Sequence, residues 1–85
     1  MSIIIADSND LMRAGLVSVL NDDASFFVAG EATDSEQLEN QIKMYNPSVV
    51  IIDYTSGGFS VDVIKKFSSS KHGIKFIAIT HAQSA

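Results

Sequence analysis

The run Pro47-Ser48-Val49-Val50-Ile51-Ile52-Asp53 constrains the fold more than any other stretch of the chain. Four consecutive branched apolar residues have no polar side to turn toward water. They suit a short strand covered on both faces, and strands of that kind belong to parallel sheets flanked by helices. A carboxylate, Asp53, then stands at the C-terminal tip of that strand. Ile3-Ile4-Ile5-Ala6 repeats the pattern, ending abruptly in Asp7 and a polar loop, Ser8-Asn9-Asp10.

Helical and extended signals alternate along the rest of the chain. From Leu11 the apolar positions Met12, Leu16, Val19 and Leu20 recur at helical spacing, with Asn9 or Asp10 available as a cap and Asn21-Asp22-Asp23 to end the helix. Phe26-Phe27-Val28-Ala29 predicts a second strand. Thr33-Asp34-Ser35-Glu36-Gln37 offers caps and early acids for a second helix, with Leu38, Ile42 and Tyr45 on its buried side and Asn46-Pro47 as its end. After Asp53, Ser56-Gly57-Gly58 makes a turn, and Val61, Ile64 and Phe67 space out a third helix. Ser68-Ser69-Ser70-Lys71-His72-Gly73 closes that helix, and residues 74–79 read as a fourth strand ending at Thr80. Phe26, Phe27, Phe67 and Phe76 fall on apolar faces and are expected in the core.

Strict alternation of strand and helix implies an α/β fold, a doubly wound parallel sheet whose right-handed crossovers put helices on both faces. By analogy with the flavodoxin-like arrangement the spatial order is 2-1-3-4. In such sheets ligands collect beyond the carboxyl ends of the strands, where the winding reverses between strands one and three. Asp7 and Asp53 are expected to meet there.

Composition narrows the function classes. With 85 residues, residues 1–85 form one domain with a thin core. At 46% apolar and 19% charged, the chain has enough to bury to offset the entropy of ordering. The absence of cysteine removes disulfides, thiolate nucleophiles and thiolate metal sites. A net charge of -4 argues against direct nucleic-acid contact by this segment, because backbone binding depends on lysines and arginines displacing counterions. No stretch reaches the length of a membrane span, and the start lacks the basic and cleavage features of a secretory signal, so no membrane partner and a cytoplasmic location are expected.

Two carboxylates at neighbouring strand tips repel each other and favour a bound divalent cation. Oxygen-only ligands in a cleft open to water suit magnesium, which keeps several waters and bridges carboxylates to phosphate. A carboxylate beside such an ion can attack a phosphoryl group, because the cation neutralises charge on the transferring oxygens. Asp53, at the end of the most buried strand, is the better nucleophile; Asp7, on a loop leading into a helix, suits metal binding or, on a plainer reading, helix capping.

The residues resemble the receiver domains of two-component response regulators, which are CheY-like, and more narrowly those of the NarL/FixJ (LuxR-type) subfamily. The matching stretches are Ile4-Ile5-Ala6-Asp7, Arg13-Ala14-Gly15-Leu16, Gly30-Glu31-Ala32, Asn46-Pro47-Ser48-Val49-Val50-Ile51-Ile52-Asp53 and Ile77-Ala78-Ile79-Thr80. The resemblance spans essentially the whole chain. It implies that Asp53 accepts a phosphoryl group from a histidine kinase, and that Asp7, Asp53 and the backbone carbonyl of Thr55 hold Mg2+. It further implies that Thr80 acts as the switch residue and that the domain regulates a helix-turn-helix output domain in a transcription regulator. Measured against that family the chain lacks a fifth strand and the last two helices and is expected to be a C-terminally incomplete receiver. The apolar side of the first helix and the far edge of strand four are then left to associate, so a homodimer is expected.

Departures from the family pattern set the competing readings. Ser8 stands where the family has a second acid, which weakens or removes the Mg2+ site, and Asp10 is the nearest carboxylate that could compensate through a water. His81 follows Thr80 where the family has a small residue. These departures motivate an alternative, a phosphorylation-independent pseudo-receiver acting as an interaction module. A phosphate-ester hydrolase using Asp53 ranks below both, because Thr55 occupies the place two residues on where a general acid is needed, and the chain is read as no enzyme.

Overall fold

Each apolar run becomes a strand, and the strands pair side by side in one direction. The computed structural model describes residues 1–53, 55, 57–68 and 73–79. Along it run β1 (Ser2–Ala6), α1 (Asp10–Asn21), β2 (Phe27–Ala32), α2 (Ser35–Tyr45), β3 (Val49–Ile52), α3 (Val61–Phe67) and β4 (Lys75–Ala78). The sheet is parallel throughout, as the alternation of elements predicts, and its order β2-β1-β3-β4 is the one expected by analogy with the flavodoxin-like arrangement.

Register divides the core into two layers. Ile4, Val50 and Phe76 lie in one row, and Ala6, Ile52 and Ala78 in the next row on that face. Against them pack Leu38 and Ile42 of α2 and Val63 and Phe67 of α3. Ile3, Ile5 and Val49 face the opposite side, where Leu16, Val17 and Leu20 of α1 lie over them. Both central strands are therefore covered on both faces, which is why their sequences are unbroken apolar runs.

Caps fix where the helices begin and end. Asn9 caps α1 by accepting from the Met12 amide at 3.0 Å, which leaves Asp10 as the first helical residue. Asp34 caps α2 in the same way through Gln37, and the Gln37 side chain in turn accepts from Thr33. α2 stops at Asn46, which adopts the left-handed conformation (φ 47) that asparagine tolerates better than most residues, directly before Pro47. Lys66 of α3 pairs with Glu39 of α2, which also meets Lys43; the hydrogen bond from Lys66 chiefly lowers the Glu39 carboxyl below its usual range.

Several sequence expectations need correction. β2 begins one residue later than Phe26 and runs on through Gly30 and Glu31 to Ala32, because pairing with β1 and not local hydrophobicity sets its length. A bulge between Ile3 and Ile4 lets Ala29 slip past, and Phe27, at the outer edge of the sheet, is 65% exposed instead of core. Tyr45 and Val61 are also exposed, while Val63 takes the buried place on α3. On α1 none of the residues is fully buried, and Val19 is 69% exposed. α1 alone lies over its face of the sheet among the described residues, so only one flank of the helix finds a neighbour. No helix among them is long and apolar enough to cross a membrane.

Candidate functional site

Parallel register brings the two strand-tip acids together. Ala6 pairs with Ile52, so Asp7 and Asp53 occupy the next positions on neighbouring strands, which lie about 4.8 Å apart in such sheets. The ladder continues one step past the strand ends: the Asp53 amide donates to the Ala6 carbonyl at 2.9 Å, and the Asp7 amide to the Ala32 carbonyl at 3.0 Å. Both acids are fully buried, the only buried polar or charged residues among those described. β4 reaches the same rim, since the Ile79 amide donates to the Ile52 carbonyl at 2.9 Å. Thr80 and His81 lie outside the described residues.

Each acid is oriented by its own loop. Asp7 Oδ1 accepts from the Asn9 amide at 2.8 Å, an Asx turn that curls the chain from β1 into α1. Asp53 Oδ1 accepts from the Thr55 amide at 2.9 Å and from the Thr55 hydroxyl at 2.5 Å. Thr55 thus meets Asp53 through its amide and hydroxyl. The loop then turns through Gly57 and Gly58, both at positive φ. A side chain at Gly58 would be strained in that conformation and would sit 3.1 Å from the Thr33 carbonyl oxygen. The close approach allows the Ser35 amide to donate to the Gly58 carbonyl at 2.8 Å, and the Ser60 amide to donate to the Ser35 hydroxyl at 2.9 Å. The loop after Asp53 is therefore docked on the start of α2.

The donor set fits a hard divalent cation. Two buried carboxylates on adjacent strands supply oxygen ligands and no soft ones. Hard carboxylate oxygens are the donors that magnesium takes while keeping several of its waters; among the described residues no three acidic, histidine or cysteine side chains gather as a ligand set. Ser8, half-buried beside Asp7, is a neutral neighbour. Asp10 does not join the pair: its carboxylate is 86% exposed and engages Arg13 at 2.6 Å.

No protein-family profile matches the chain. Among curated proteins it is 27% identical over 81 residues to the response regulator GacA of Pseudomonas syringae pv. syringae and 28% identical over 79 residues to GacA of Pseudomonas viridiflava. Those matches take in 94% and 92% of this chain but 38% and 37% of the relatives, so the chain spans well under half their length. Among solved structures it superposes on the receiver domain of NarL from Mycobacterium tuberculosis with a TM-score of 0.85 at 26% identity, covering 98% of this chain and 68% of that one. It superposes on the isolated receiver domain of RcsB from Salmonella enterica serovar Typhimurium with a TM-score of 0.84 at 25% identity, covering 99% and 64%. This chain has the fold of response-regulator receiver domains.

One residue near the rim stands in a stretch that carries the resemblance, Arg13-Ala14-Gly15-Leu16, but its sequence position assigns it no role at the site. Arg13, the single arginine of the chain, is 14% exposed and donates to three acceptors from three places. Nη1 reaches the Asp7 carbonyl at 2.7 Å, Nη2 the Asp10 carboxylate at 2.6 Å, and Nε the Glu31 carboxylate at 3.0 Å. The hydrogen bond to Asp10 raises the Arg13 pKa above its ordinary value and that to Glu31 adds to it, against an opposing effect of burial. The i,i+3 spacing of Asp10 and Arg13 was the visible signal; the Asp7 and Glu31 partners come from the fold.

Proposed function

We propose that Asp53 is the phosphoacceptor of this receiver and that Asp7, Asp53 and the Thr55 carbonyl hold Mg2+. The observation that carries the reading is the pair of fully buried carboxylates at the ends of neighbouring central strands. Bound there, magnesium would neutralise charge on the oxygens of the incoming phosphoryl group. Thr55 fixes the plane of the Asp53 carboxylate through Oδ1, so the side chain does not need to be ordered at the moment of reaction. A carboxylate oxygen of Asp53 attacks phosphorus, an O–P bond forms, and the P–N bond of a phosphohistidine donor breaks with its electron pair returning to the imidazole. The donor is a histidine kinase. The product adds negative charge to the rim, and Thr80 is the residue we assign to follow it as the switch that repacks the surface read by a helix-turn-helix output domain. The domain signals and does not turn over substrate.

Incubating the chain with Mg2+ and a small-molecule acyl phosphate is expected to place one phosphoryl group on it, seen as a mass increase that Asp53→Asn abolishes. A wild-type chain that stays unmodified while binding its partners normally would favour the pseudo-receiver reading, for which Ser8 and the engagement of Asp10 with Arg13 are the supporting observations.

The exposed apolar residues Leu11, Met12 and Val19 on α1 and Ile77 on β4 support the proposal that the chain pairs with a second copy. Sedimentation is expected to give a dimer, dissociated by Val19→Asp. A monodisperse monomer at high concentration would exclude this.

A further inference from the structure

We propose that Arg13 is a positioning residue that holds the Asp7 loop in the shape a divalent cation needs, an inference that rests on reading Asp7 and Asp53 as the cation site. Asp7 is followed by a polar loop and not by regular structure, and its carboxylate is tied to that loop through the Asn9 amide, so it is only as well placed as the backbone on which that turn is built. Two bonds fix that backbone from the strand side, the one from the Asp7 amide to the Ala32 carbonyl and, one residue earlier, the one that the Ala6 carbonyl accepts from the Asp53 amide. From the helix side the bond from Arg13 fixes it by gripping the Asp7 carbonyl itself.

The guanidinium can do this because its other donors are anchored elsewhere. Glu31, on β2, and Asp10, at the start of α1, take Nε and Nη2, so the fork spans the end of β2, the first turn of α1 and the loop between β1 and α1. A lysine could not bond all three acceptors in a fixed plane, which gives a physical reason for arginine here in a chain whose other basic residues are all lysines. The same fork engages the Asp10 carboxylate, which is 86% exposed.

Two roles for Arg13 predict opposite signs. As a bystander cation near two carboxylates it opposes Mg2+, so its removal would tighten metal binding. As the clamp on Asp7 it favours Mg2+, so its removal loosens binding even though a positive charge has gone. Outer contacts that orient metal ligands are worth about tenfold or more in affinity, so the positioning effect exceeds the screened charge effect of an arginine already paired with two carboxylates.

The test is a titration of the chain with Mg2+ alone, followed through the backbone amide resonances of residues 7–9 and 53, for wild type, Arg13→Gln and Arg13→Lys. Arg13→Gln is expected to weaken Mg2+ about tenfold, and Arg13→Lys, which keeps the charge but gathers its donors on one nitrogen, about threefold. Thermal midpoints measured without metal separate the role from plain stability: a lowered midpoint with an unchanged Mg2+ midpoint would make Arg13 structural only and overturn the proposal. So would tighter binding in Arg13→Gln. If Arg13→Gln does not fold, Arg13→Lys decides, and wild-type affinity in that variant overturns the clamp. Should the wild type itself bind no Mg2+, the failure lies with the cation site and not with Arg13 as its organiser.

Discussion

Ile4→Ala is expected to remove most of the chain's stability at room temperature, whereas Val19→Ala is expected to leave it nearly unchanged. Ile4 is fully buried in the row that joins β1 to Val50 on β3, beneath α2 and α3. Removing its outer carbons forfeits their transfer from water and leaves a void that the flanking strands cannot close without breaking register. Substitutions of this kind cost about 2–5 kcal/mol. A domain of this size holds roughly 5 kcal/mol in total, so the loss takes most of its stability. Val19 has nearly the same hydropathy but is 69% exposed in the single chain, and at concentrations low enough to keep the chain monomeric its truncation should change stability by less than about 0.5 kcal/mol. Urea unfolding followed by far-ultraviolet circular dichroism reads both; similar losses for the two variants would mean that the two-layer packing is misassigned.

That contrast also marks how far the sequence could be read. β3 and all of β1 but its first residue, Ser2, were legible because a strand segment covered on both faces is apolar throughout, as Ile3-Ile4-Ile5-Ala6 and Val49-Val50-Ile51-Ile52 are. β2 was not, because an edge strand takes its length from its partner: Phe26-Phe27 drew the reading toward the start, while Gly30 and Glu31, poor strand formers, are held extended by pairing with Ile4 and Ile5. Helical periodicity named the apolar positions of α1 but could not say how many of them the sheet would cover, and Met12 and Val19 remain at the surface.

The site followed the same logic. Asp7 and Asp53 could be singled out because a carboxylate ending an apolar strand is conspicuous, and parallel topology then fixes where such ends meet. Asp10 was legible only as a nearby acid. Whether it faces the pair or turns away depends on Arg13, whose reach to Asp7 and Glu31 is a property of three elements packed together. Sequence spacing carries information within one helix or one strand; contacts among a loop, a helix and a neighbouring strand appear only once the sheet has been assembled.

The second large effect concerns the link between metal and folding. Mg2+ at about a hundredfold over its dissociation constant is expected to stabilise the wild-type chain by about 2.7 kcal/mol, because only the folded state holds Asp7 and Asp53 side by side. In Asp7→Asn that stabilisation should nearly vanish, and the reason is chemical and not conformational. The amide keeps an oxygen that can accept from the Asn9 amide, so the turn into α1 survives, while the ligand loses its charge and with it most of its attraction for a hard cation. Thermal unfolding with and without Mg2+ measures the difference. Asp53→Asn should behave alike in this assay, since its oxygen still accepts from Thr55. The two variants separate when an acyl phosphate is added at high Mg2+: Asp7→Asn should recover part of its phosphoryl uptake as mass action refills the weakened site, and Asp53→Asn should recover none, because no concentration of metal restores a missing nucleophile. Recovery by both, or by neither, would mean that the roles of metal ligand and phosphoacceptor are not divided between residues 7 and 53 in this way.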